Sequence, residues 1–287
     1  MSEPAKVRVI RADNPSPLTG PGTNSFLIGT EEVAVIDPGP DDPAHVAAIL
    51  EAAEGRISHI LVTHPHLDHS AAVPRLAAAT GAPVMAFGTA EAGRSPPMQR
   101  LAEAGAVGGG EGADAAFRPD VTLADGDVLR GAGWEITAVH TPGHMGSHLS
   151  FRLGDAVLCG DLVMGWATTL ISPPDGDLVD YLRSLEHLAL LAPRVLYPAH
   201  GDPVTPPLPR LAELAAHRRA RTAQILAALD AAPGTAEALA ARMYTEIPAA
   251  LLPAATRNVL AHLVALGDLG AVAPEAGLTA GAVWSRA

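Results

Sequence analysis

The chain has 287 residues, 48% hydrophobic and 3% aromatic, with 31 acidic against 19 basic side chains for a formal charge of −12. That length fits one large α/β domain plus a small appendage, and the acidic balance argues against a protein built to neutralise a phosphate backbone. A single cysteine, Cys159, excludes an intrachain disulfide and fits a reducing compartment, while a start (MSEPAKVRVIRAD) without a signal-peptide pattern and no apolar run near the ~20 residues of a membrane span predict a cytoplasmic protein with no membrane partner.

Short β-type runs come first, at Val7–Arg11, Asn24–Gly29 and Val33–Ile36, separated by Gly/Pro/Asn turns. Helical periodicity follows over Ala44–Ala53, then a β-branched strand at Ile57–Val62, a helix over Ser70–Thr80 ending at Gly81, and a strand at Pro83–Phe87. Residues 88–119 are rich in Gly, Ala and Pro, with GGG at 108–110, and read as a loose excursion or as a loop holding a short helix at Met98–Ala104. Four strands are expected next, at Val121–Leu123, Trp134–His140, His148–Arg152 and Ala156–Cys159, then a helix over Leu178–Leu191 and a strand at Val195–Tyr197. This alternation, with hairpin-like β pairs, predicts an α/β sandwich over residues 1–206.

A proline-rich break at Asp202–Pro209 leads to a second unit, residues 207–287, which carries 7 basic and 6 acidic residues against 12 and 25 in the first 206. It reads as an amphipathic helix (Leu211–Leu229), a capped helix (Thr235–Met243), a third helix (Pro253–Leu266) and a glycine-bounded β tail (Gly267–Val272, Gly277–Trp284). Those parts have the shape of a winged helix; a generic helical cap is the alternative. The run HRRAR at 217–221 is the only basic cluster and reads as a solvated helix face.

The chemistry concentrates in THPHLDHS, residues 63–70, directly after a strand. His64, His66, Asp68 and His69 are four metal-binding side chains within six residues, a density that a turn leaving a strand can divide between two ions. Three further segments put a ligand-type residue in a Gly- or Pro-shaped loop at a strand end: His144 in HTPGHMGSH, Asp161 in LCGDL and His200 in YPAHGDP. Imidazoles and carboxylates suit zinc first, and also iron or manganese. Asp37 is either a plain turn aspartate before Pro38 or an acceptor that fixes a ligand histidine's tautomer. Thr63 is a candidate neighbour of the ligands, and Asn24 reads as a turn residue. His148 reads as a buried structural residue, like Cys159, and His45, His59, His187, His217 and His262 as structural or exposed.

The order HxHxDH, then His, Asp and His, resembles the metallo-β-lactamase fold superfamily, especially its glyoxalase II-type members; TGPGTNSFLIG (19–29) and VIDPGP (35–40) resemble it too. The tail resembles the winged-helix extension of the branch called β-lactamase-like protein 2. The resemblance implies an αββα sandwich, one metal held by His64, His66 and His144, a second by Asp68, His69 and His200, and Asp161 bridging both. Secreted β-lactamases of the best-known class have cysteine where Asp161 stands, so antibiotic degradation is not expected. Flavodiiron redox members, with a carboxylate where His66 stands, are disfavoured as well.

Two divalent ions sharing one water would lower its pKa from ~15.7 to near 7, with Asp68 orienting the resulting hydroxide. The expected function is therefore hydrolysis of a thioester or other small acyl compound. The alternative is a metal-dependent endoribonuclease or phosphodiesterase acting on single-stranded RNA, against which the acidity and scarce aromatics count. A regulatory protein with a vestigial site and a single-iron persulfide dioxygenase are further readings; a homo-oligomer is compatible with all of them.

Overall fold

The computed structural model describes residues 7–106, 108 and 112–287, so part of the glycine run at 108–110 lies outside the described residues. In chain order the first layer contains β1 (Val7–Arg11), β2 (Asn24–Ile28), β3 (Val33–Ile36), α1 (Pro43–Ala53), β4 (Ile57–Leu61), α2 (Leu67–Ser70), α3 (Val73–Thr80), β5 (Val84–Ala86), α4 (Pro96–Glu103) and β6 (Val121–Thr122). The second contains β7 (Val128–Gly131), β8 (Trp134–His140), β9 (Leu149–Leu153), β10 (Ala156–Gly160), α5 (Leu178–Leu190) and β11 (Val195–Pro198). The strands form a six-stranded sheet in the order β1 to β6 and a five-stranded sheet in the order β11-β10-β9-β8-β7.

Alternation along each strand explains the layering, because successive side chains face opposite sides of a sheet. Phe26 and Ile28 of β2, Ile36 of β3 and Leu61 of β4 meet Ile136, Leu149 and Phe151 of the other sheet. Their sequence neighbours Leu27, Val35 and Ile60 face outward onto Val46, Ile49 and Leu76 of α1 and α3. On the far side Val157, Cys159 and Leu196 pack under Tyr181, Leu185 and Leu188 of α5. The result is helix, sheet, sheet, helix, the αββα sandwich expected from the sequence.

Local chemistry starts and stops these helices. Asp42 caps α1 by accepting from the Ala44 N–H, and Asp177 caps α5 by accepting from Val179 and Asp180. Several expected boundaries differ. The helix expected over Ser70–Thr80 is two, α2 beginning already at Leu67 and α3 at Val73. β7 has no counterpart among the expected strands: it is an edge strand whose side chains alternate between exposed and half-buried, so it lacks an apolar signature. The excursion at 88–119 does hold a short helix, α4.

The second unit consists of α6 (Pro207–Ala231), α7 (Ala236–Met243), α8 (Leu252–Asp268), β12 (Val272–Pro274) and β13 (Trp284–Arg286). The expected proline-rich break overlaps the first turn of α6, where Pro207 is tolerated because its missing N–H would have no helical partner. Thr235 caps α7 by accepting from the Ala238 N–H, and β12 pairs antiparallel with β13 as the wing. α6 serves two cores. Leu211 and Leu214 pack with α5, whereas Ile225 and Leu229 pack with Leu239, Val259 and Trp284. Met98 and Leu101 of α4 join that C-terminal core.

The stretch Ala249–Asp268 is, contrary to the sequence expectation, long and apolar enough to pass for a membrane span. Its Val259, Leu263 and Val264 are buried around Trp284, which accounts for the apolar character. Trp284 is 1% exposed and anchors the wing to that core. Truncating a buried Trp to Ala costs about 3–5 kcal/mol, so Trp284→Ala is expected to destabilise the C-terminal unit by that amount in a urea titration. A loss under ~1 kcal/mol would contradict this packing.

Candidate metal centre

All seven sequence-nominated residues converge where strands of both sheets end, and each is at most 6% exposed. His64 and His66 stand in the turn after β4, and Asp68 and His69 on α2. The excursion braces this turn: Leu67 N–H donates to the Gly112 carbonyl (3.0 Å), Asp114 N–H to the Pro65 carbonyl (2.8 Å), and Ser70 Oγ–H to the Asp114 carboxylate (2.9 Å). His144 lies in the β8–β9 loop, Asp161 just after β10 and His200 just after β11. Two glycines are required by these loops. Gly143 has φ +141, and a Cβ there would stand 2.3 Å from the Tyr181 backbone. Gly160 has φ +48, and a Cβ would stand 2.5 Å from His148 Nε2.

The donor atoms form two sets. His66 Nδ1 lies 3.0 Å from His64 Nε2 and 3.1 Å from His144 Nε2. His64 Nδ1–H donates to Thr63 Oγ (3.0 Å), whose own hydroxyl donates to Asp37 (2.8 Å), and His144 Nδ1–H donates to the Leu170 carbonyl (2.8 Å). Both Nε2 atoms therefore present bare lone pairs toward His66 Nδ1, an arrangement that needs a cation or a proton between them. Nitrogens ~2.0–2.1 Å from a tetrahedral zinc stand about 3.3 Å apart, close to this spacing.

In the second set His200 Nε2 lies 3.3 Å from Asp68 Oδ2, and His69 Nε2 lies 3.3 Å from the same oxygen. Asp161 spans the two sets, with Oδ2 3.6 Å from His144 Nε2 and Oδ1 3.3 Å from His200 and 3.6 Å from His69. Buried Asp68 Oδ1, Asp161 Oδ1, His69 Nε2 and His200 Nε2 all lack a hydrogen-bond partner, a cost proteins rarely carry without a ligand. These residues fit a pair of divalent cations.

Electrostatics divides the sets in the same way. Burial, then the neighbouring imidazoles, pushes His64 well below the ordinary histidine range, and burial with His144 brings His66 down to about 3. Burial opposes charge on His200 too, but Asp161 and Asp68 reverse it and hold the ring at about 10. His69 is likewise raised, against burial, by Asp68, Asp161 and Asp37. One set is thus a neutral trio of imidazoles, the other a compensated carboxylate–imidazole group.

Supporting contacts settle what the sequence left open. Asp37, fully buried, accepts from Thr63 N–H (2.7 Å), Thr63 Oγ–H (2.8 Å) and His69 Nδ1–H (3.0 Å), so it serves a ligand-type histidine as well as its turn. His148 is buried, as expected, and its Nε2 accepts from the Asp161 N–H (3.2 Å). Asn24 does more than hold a turn: its amide donates to the Pro198 and Gly201 carbonyls, tying β2 to the His200 loop. Cys159 is fully buried, and burial pushes its thiol up. The run HRRAR is not simply a solvated face, since Arg218 is 2% exposed. Its position continues the inward stripe Leu211, Leu214, Ala215, Arg218 of α6, a 3.6-residue pattern that was present in the sequence.

Comparison with known proteins agrees with this geometry. Residues 18–200 match the family described as Metallo-beta-lactamase superfamily, and residues 235–281 match the Beta-lactamase associated winged helix domain. A Beta-lactamase-like protein 2 homolog of Drosophila melanogaster is 30% identical over 270 residues, covering 90% of this chain and 86% of that protein. An atrochrysone carboxyl ACP thioesterase of Aspergillus fumigatus is 31% identical over 236 residues, covering 79% of this chain and 65%, just under two thirds, of its own length. A crystal structure of a metallo-beta-lactamase family protein from Thermus thermophilus aligns over 98% of both chains with a TM-score of 0.77 and 27% identity. The chain belongs to the metallo-beta-lactamase superfamily of hydrolases and carries the winged helix associated with it.

Proposed function

We propose that this protein hydrolyses a thioester or a related small acyl compound with two divalent metal ions, zinc being the first expectation and iron or manganese the alternatives. His64, His66 and His144 would hold one ion, Asp68, His69 and His200 the other, with Asp161 shared. When bound, such a pair lowers the pKa of water and neutralises charge developing on the substrate oxygen. The protein's own part is to fix the donor atoms through Asp37, Thr63 and the Leu170 carbonyl. Asp68, whose Oδ1 has no partner, orients the attacking water. Water adds to the carbonyl carbon, the C–S bond breaks, and acid and thiol leave.

The observation that carries the reading is the pair of donor sets, of which His66, His144 and the shared Asp161 line a largely apolar cavity with Leu18, Met164, Trp166 and Leu170. A relative named as a thioesterase supports the bond type. Elemental analysis is expected to find about two ions per chain, and N-acetylcysteamine thioesters are expected to be cleaved while a fluorescent single-stranded RNA is not. His66→Ala should stay folded by circular dichroism yet lose about one of its two ions and nearly all hydrolysis. RNA cleavage without thioester cleavage, or full metal content and activity in His66→Ala, would defeat the proposal.

A further inference from the structure

One cavity of about 270 Å³ joins His66, His144 and Asp161 to α6, α8 and the segment between α7 and α8 of the C-terminal unit. Apart from that metal-site wall, its ionisable lining is His217, Arg218 and Arg221 on α6, with Tyr244 just after α7. Arg210 and Arg219, on the same helix as the two lining arginines, pair with Glu213 and Glu186. Arg218 and Arg221 do not: among the described residues no carboxylate forms an ion pair with either. Arg218 Nη1 donates to Asn258 Oδ1 (3.0 Å) and Nη2 to the Thr169 carbonyl, while its buried Nε has no partner. Arg221 lies 4.3 Å over the Tyr244 ring and donates to Gln224 (2.7 Å), and its Nε is also buried without a partner.

A guanidinium 2% exposed is costly to bury without an anion. In a protein of charge −12 a carboxylate partner would be easy to supply, yet among the described residues none pairs with either arginine. The planar fork of arginine is matched to carboxylate and phosphate oxygens. We infer that Arg218 and Arg221 receive an anionic oxygen group of the substrate, whose apolar body fills the cavity while its carbonyl meets the histidine cluster. The assignment of the carbonyl rests on the acyl-hydrolase reading above; the anion site does not. The anion has two sources, a carboxylate on the acyl chain or a phosphate on the thiol portion.

Three thioether probes, which cannot be hydrolysed, separate these on the metal-loaded full-length protein. They are S-pentyl-N-acetylcysteamine (neutral), its 4-carboxybutyl counterpart, and S-pentyl-pantetheine 4′-phosphate. Binding is read from the fluorescence of Trp166, which is 48% exposed at the cavity whereas Trp134 and Trp284 are buried. At least one charged probe is expected to bind tenfold or more tightly than the neutral one, and which one it is identifies the source. That advantage should shrink to within about twofold in Arg221→Gln, and in Arg218→Gln if its circular dichroism matches wild type. Equal binding of all three probes, or a charge preference that survives Arg221→Gln, overturns the inference. Selective binding of a charged probe without cleavage of any thioester keeps the anion site and defeats only the acyl-hydrolase reading.

Discussion

Replacing Asp161 with alanine is expected to reduce bound metal from about two ions to about one and to abolish most hydrolysis. The fold should survive, because the Asp161 backbone is held independently of its side chain: its N–H donates to His148 (3.2 Å) and its carbonyl accepts from Thr169 (2.8 Å). What disappears is a carboxylate whose two oxygens face different donor sets. The His64, His66 and His144 trio stays complete, so it keeps its ion. His69 loses one of the three carboxylates that balance it and His200 one of two, so the pair holds an ion poorly. Metal-assisted stabilisation of a developing oxyanion is worth several kcal/mol, so turnover should fall by about a thousandfold at 1.4 kcal/mol per decade. Elemental analysis beside thioester turnover checks both halves; two ions retained with activity within tenfold of wild type would refute the bridging role.

The ligand-type residues were legible because each lies in a short local pattern: a strand end, a turn, and a side chain with few structural uses there. Strands such as Ile57–Leu61 were legible for the same local reason, an apolar β-branched run between turns. What escaped depends on contacts distant in sequence. Asn24 gains its role from carbonyls more than 170 residues away. The Leu170 carbonyl that orients His144 carries no side-chain signal at all. Gly112 and Asp114 brace the HxHxDH turn from within an excursion whose composition looks unstructured. β7 was invisible because an exposed edge strand need not be apolar. Charge alone points Arg218 to solvent, although the helical stripe that turns it inward is present in the sequence.

Asp37→Asn is expected to weaken metal binding about 10–100-fold, the usual cost of removing the partner that orients a ligand histidine. The reason is a tautomer. Asp37 Oδ2 accepts from both Thr63 Oγ–H and His69 Nδ1–H, while Oδ1 accepts from the Thr63 N–H. An asparagine can keep the Oδ1 contact, but its amide NH₂ then faces two other donors. His69 is released from the Nδ1–H form, and a proton on Nε2 would point at the site where a lone pair is needed. Thr63 must also reverse its hydroxyl, which withdraws the acceptor from His64 Nδ1–H (3.0 Å) and loosens a member of the other set. Asparagine is the informative choice because residue 37 has φ +53, a left-handed conformation that Asn adopts readily and Ala does not. The variant should therefore fold, with metal affinity, measured by competition against a chromophoric chelator, changing far more than thermal stability. Unchanged affinity in Asp37→Asn would show that His69 keeps its orientation without this carboxylate.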